Sequence, residues 1–147
     1  MDCCHDPADF CVHRCDKVAP ATRAGVHALV IGTGQYRYKH KGTTDYDDFA
    51  DINGASFGAG KFAKFLRDEY HDPLGHGILT VRLLLTPTGR EDPALKKLGV
   101  TWQPATYGKV RAALRDWYDD CDKSAENITI LYAAGHGVTD LHSFTHV

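Results

Sequence analysis

The group in this chain best placed to do chemistry is an imidazole, His136, held between Gly135 and Gly137 directly after the apolar run ITILYAA, Ile128 to Ala134. Such a run ending in Gly-His-Gly reads as a buried strand that carries the histidine at its carboxyl end. An imidazole there takes or gives a proton near neutral pH, which suggests general acid–base work. The flanking glycines permit a sharp backbone and the close approach of a substrate carbonyl, as an oxyanion site requires. The bland alternative is a histidine that only satisfies the end of a strand. A sulfur partner is harder to find. Cys121 lies upstream of the strand on a helical pattern, where it reads as a small buried apolar residue. The residues after His136, GVTDLHSFTHV, contain no cysteine.

The other chemistry-bearing clusters are weaker. Cys3, Cys4, Cys11 and Cys15, with His5 and His13, crowd the start of the chain. Structural zinc sites separate paired ligands by two to four residues, whereas Cys3 and Cys4 are adjacent and Cys11, His13 and Cys15 alternate. No metal is therefore expected, and free thiols in a loose leader bracketed by Pro7 and Pro20 are the favoured reading. Two phosphate motifs nearly form. Gly32-Thr33-Gly34 has Arg37 where a dinucleotide fingerprint needs its third glycine. Gly60-Lys61 is preceded by Ala55 in place of the leading glycine and followed by Phe62 in place of the magnesium-binding hydroxyl. Both are better read as turn and helix-packing glycines, and no cofactor is expected. His71, His76, His142 and His146 read as loop residues.

The elements that must position His136 follow from hydropathy. VHALVI, Val26 to Ile31, is a short apolar strand closed by Gly32 and Gly34, and TVRLLLT, Thr80 to Thr86, is a second, ended by Pro87 and Gly89. Ala55, Ala59, Phe62, Ala63, Leu66 and Tyr70 recur at steps of three and four and predict a helix, whose glycines would let it lie close to a sheet. Val110, Ala113, Leu114, Trp117 and Cys121 predict another, with Thr106 as its N-cap. Residues 35–51 and 89–104 read as polar surface insertions. Strand, helix, strand, helix, strand demands crossovers, and so an α/β fold with a mostly parallel sheet.

Composition excludes several classes. Hydrophobic residues make up 43% and charged residues 24%, with a formal net charge of -2. These are globular values. Lysine and arginine are scattered, so no stripe suits a nucleic-acid backbone. No apolar run approaches a bilayer span, and the polar start lacks the features of a signal peptide, so no membrane partner and a cytoplasmic location are expected.

In their order, VHALVIG, DINGASFGAGKFAKFL, TVRLLLTP, ATYGKVRAALRDWY and ITILYAAGHGV resemble the caspase-like cysteine peptidases, the group of caspases, metacaspases and bacterial caspase homologues. The resemblance runs from Val26 to Val138. It implies a three-layer fold of which the chain holds the three leading strands and two crossover helices. It further implies a catalytic role for His136, an oxyanion-hole N–H on Gly137, and a peptide or protein substrate. Residues 1–25 would then be an irregular leader, 26–138 the N-terminal part of the catalytic domain and 139–147 a tail.

The departures matter too. The family's Asn-Asp-Ala step falls on Phe57, Gly58 and Ala59, so a carboxylate is missing. The family's nucleophilic cysteine follows its histidine by about 50 residues, beyond the end of this chain. The expectation is a fragment, inactive unless another polypeptide supplies the sulfur. In the loop after the first strand, Arg37, Lys39 and Lys41 favour acidic substrates, whereas Asp45, Asp47 and Asp48 favour basic ones, and the preference stays open. With the family's next strand absent, the strand ending at His136 would have an open edge, which implies self-association. The alternative reading is a non-catalytic interaction or regulatory module on the same fold.

Overall fold

The computed structural model describes residues 4–6 and 11–14 by their backbone, and residues 24–36 and 50–136 with their side chains. The elements run β1 (Cys4–Asp6), β2 (Cys11–Arg14), β3 (Val26–Thr33), α1 (Ala55–Asp68), β4 (Ile78–Thr86), α2 (Asp92–Lys97), β5 (Gln103–Pro104), α3 (Tyr107–Cys121) and β6 (Ile128–Ala134). The fold is α/β. Strands β4, β3 and β6 lie side by side and parallel, as two crossovers require, and β5 adds a short parallel pair at the carboxyl end of β4.

Strand alternation decides which helix each residue meets. Ala28 and Val30 of β3 with Val81, Leu83 and Leu85 of β4 face α1, where Ala59, Ala63 and Leu66 complete the main core. Leu29 and Leu84 point the other way, toward Ala113 of α3, with Ile31, Val110 and Trp117 at the margin. Three layers result. The close approach of α1 depends on glycine: a Cβ on Gly32 would stand 2.7 Å from that of Ala59, and one on Gly60 would stand 2.4 Å from Leu95. The strand glycine Gly32 thus admits α1 to the sheet, while Gly60 of α1 admits Leu95 of α2.

Two expectations change. Residues 89–104 are more than a polar insertion, because α2 and β5 form there and Leu95 and Val100 enter the main core. Too few apolar residues mark a one-and-a-half-turn helix for any period to show. The leader is not wholly irregular either. β2 runs antiparallel to β4, pairing Cys11 with Arg82 and Arg14 with Thr80, and β1 pairs with β2. The outer edge of β4 presents N–H and C=O groups that need partners, and an extended segment satisfies them whatever its composition. The side chains of Cys3, Cys4, His5, Cys11, His13 and Cys15 lie outside the described residues.

The start of α1 is held from a distance. Its N-cap Gly54 (φ 106°) has no side chain to cap with. The carboxylate of Glu91, preceding α2, takes that place by accepting from the N–H of Gly54 at 2.9 Å and of Phe57 at 3.1 Å, and from Thr88 N–H at 2.9 Å. Burial pushes this carboxyl up, but the N–H donors of Thr88, Phe57 and Gly54 outweigh it and leave it below its ordinary range. Because the folded state lowers it, the stabilisation is present above the ordinary carboxylate range and is lost as pH falls through it. Glu91→Gln is expected to cost roughly 1–3 kcal/mol at neutral pH, since an amide N–H₂ would face backbone donors. In urea titrations between about pH 6 and pH 3 it should also lose stability less steeply than the native chain; parallel slopes would contradict this role.

Candidate functional site

β6 is aligned by the residue that precedes it. The Asn127 side chain accepts from Gly25 N–H at 3.1 Å and donates to the carbonyls of Asp120 and Cys121 at 3.2 and 3.0 Å. One amide thus closes the end of α3 and sets β6 beside β3. From there the parallel register runs Val26 with Ile128 through to Gly32 with Ala134. The ladder ends at that last pair, and Gly135 and His136 continue past it at the carboxyl rim, where open α/β sheets gather their ligands.

Tyr36 and Ala50 both hold His136. Its backbone N–H donates to the Tyr36 hydroxyl at 2.6 Å. Its ring lies 4.8 Å from the Tyr36 ring, tilted by 52°. Its Nε2 is 2.9 Å from the carbonyl oxygen of Ala50. A carbonyl only accepts, so Nε2 carries the proton and the lone pair of the neutral ring falls to Nδ1. The imidazole itself is exposed at the rim. Beside it lies an open cleft of about 350 Å³, lined by Ile31, Thr33, Tyr36, Ala133, Ala134, Gly135 and His136. The imidazole thus lines the cleft with its Nε2 engaged by the Ala50 carbonyl.

Comparison with protein-family models, with curated proteins and with solved structures found no match. The chemistry of the rim therefore rests on its own geometry. Gly137, the expected oxyanion donor, lies outside the described residues, as do Arg37, Lys39, Lys41, Asp45, Asp47 and Asp48. Among the described residues, no helix is long and apolar enough to cross a membrane.

Cys121 is not brought to His136. It ends α3, so it sits toward the amino-terminal start of β6, whereas His136 lies beyond the opposite end of that strand. Burial and the neighbouring Asp120 carboxylate push its thiol up to about 11, partly offset by Arg82. That is the reverse of an activated nucleophile. Peptide mapping after iodoacetamide treatment at about pH 8 should show Cys121 modified roughly a hundredfold more slowly in the folded chain than after denaturation, following its thiolate fraction. Equal rates would contradict this. His76 is less free than a loop residue would be, with Nδ1 2.7 Å from Asp72 Oδ2.

Tyr36 and Ala50 carry no motif. They flank the polar stretch 37–49, and the periodicity that identifies helices and strands is silent in such a segment. The available signal was an aromatic residue close behind the strand-ending glycines Gly32 and Gly34.

Proposed function

We propose that this chain is the histidine-bearing part of a caspase-like cysteine endopeptidase, acting on a peptide or protein in the cytoplasm once a cysteine is supplied. The observation that carries the reading is His136 itself: an exposed imidazole at the carboxyl rim of a parallel sheet, with Nε2 donating to the Ala50 carbonyl and an open cleft beside it. A free thiol near pKa 8.5 is mostly protonated at neutral pH, so it needs a base to become nucleophilic, and the leaving amine needs an acid. Nδ1 of His136 fills both roles in turn. Gly137 follows directly and donates its N–H to the oxyanion formed at the attacked carbonyl. Neither metal nor cofactor enters this chemistry.

The test is to translate the genomic sequence beyond the codon of Val147 in all three frames. The reading expects an apolar strand followed by Asp-x-Cys-x-x-Gly or a similar step about 50 residues after His136; unrelated sequence in every frame would count against it. That outcome would favour the second reading, a non-catalytic interaction module. Its own support is the far side of β6: among the described residues this strand pairs with β3 alone, and Thr129, Leu131 and Ala133 on its α3-facing side are exposed, Leu131 by 55%. That reading uses the open edge to bind an intact relative, whereas self-association follows from the unpaired ladder under either reading.

A further inference from the structure

We infer that Tyr36 is the positioning residue of His136, a role that rests on the reading of His136 as the base. Past the last ladder pair, Gly32 with Ala134, a strand end frays unless something outside the ladder holds it. The Tyr36 hydroxyl does so, accepting from His136 N–H at 2.6 Å and donating to the Thr33 carbonyl at 3.2 Å. One oxygen thereby ties the carboxyl ends of β3 and β6, and the same side chain lays its ring against the imidazole.

Tyr36 is itself fixed. Its N–H donates to Asp51 Oδ1 at 3.1 Å, and Gly34 and Gln35 both donate to the Thr86 carbonyl, at 3.0 and 2.8 Å. Asp51 adjoins Ala50, whose carbonyl receives Nε2 of His136. The tyrosine backbone and the imidazole acceptor are therefore anchored through neighbouring residues, and the ring cannot move relative to its acceptor without breaking one of these bonds. Gly135 belongs to the same device: a Cβ there would stand 2.8 Å from the Tyr36 hydroxyl oxygen. The first glycine of the Gly-His-Gly motif is thus the space that admits the tyrosine hydroxyl.

The test reads His136 directly, by ¹⁵N imidazole NMR and amide hydrogen exchange on the whole chain, with the His136 signals assigned by their loss in His136→Gln. The native chain should show the Nε2-protonated tautomer and a protected His136 amide. In Tyr36→Phe, which keeps the ring, the amide should exchange about tenfold faster and the ring nitrogens should average between tautomers, with the thermal midpoint little changed. Gly135→Ala, which displaces the hydroxyl while leaving Tyr36 in the sequence, should give the same signature, so the inference stays testable if Tyr36→Phe melts. Native tautomer and protection in both variants would overturn it. No thiol enters the measurement: a tyrosine-dependent ring in a chain with no cysteine-bearing continuation would sink the peptidase reading alone. An active peptidase whose histidine ignores both substitutions would sink the positioning role alone.

Discussion

Asp120→Ala is expected to destabilise the chain by about 3 kcal/mol or more, a large share of the roughly 5–15 kcal/mol that holds a domain together. Arg82, on β4, is 1% exposed, and its guanidinium donates to Asp120 Oδ2 at 2.7 Å from beneath α3. Thr80 and His27 extend the network, with His27 Nδ1 2.8 Å from Thr80 Oγ1. Removing the carboxylate leaves a positive charge in a space of low dielectric and takes away its counter-charge, which costs far more than the pair contributes net. Replacing both ends, as Arg82→Met with Asp120→Leu, should recover most of the loss. Burial pushes the Asp120 carboxyl up, but hydrogen bonds from Lys123 and Arg82, with their charges, leave it below its ordinary range. Its stabilisation is accordingly present above that range and fades as pH falls through it. Urea unfolding at neutral pH measures the difference, and a loss below about 1 kcal/mol in Asp120→Ala would mean that the pair is not buried as described.

On the proposed reading, His136→Ala has the largest effect on activity, lowering kcat/KM at least ~10³-fold in a cysteine-bearing form of the chain. The thiol loses the group that deprotonates it and the leaving amine loses its acid. The two losses are not additive with loss of the sulfur, so the cysteine variant and the double variant should fall to the same floor. KM should move little, because the imidazole acts on the reacting atoms more than on the rest of the substrate. A fall below about tenfold, or one confined to KM, would assign His136 to binding or structure.

The parallel sheet and its two long helices were legible because burial writes itself as period. VHALVI, TVRLLLT and ITILYAA are apolar runs, and Ala59, Ala63 and Leu66 repeat along one side of α1. Where burial is achieved by pairing charges, the same logic misleads. Arg82 and Asp120 are of types that usually stay in water, yet they pair between β4 and α3. Short elements escape as well: α2 contributes Leu95 as its one buried residue, and β2 is extended because β4 offers it an edge. At the candidate site His136 was visible from its glycines. Its anchors were not, since Tyr36 and Ala50 reach the imidazole from the two ends of a polar stretch, and Glu91 reaches the start of α1 from more than thirty residues away in sequence.

The most direct test of the central claim is peptide hydrolysis by this chain joined to, or expressed with, a polypeptide carrying the strand and cysteine that the proposed reading requires. The account predicts cleavage that is abolished by His136→Ala and by replacing that cysteine, each on its own. Cleavage that survives His136→Ala, or a correctly folded complex with no hydrolysis across a broad peptide library, would contradict it.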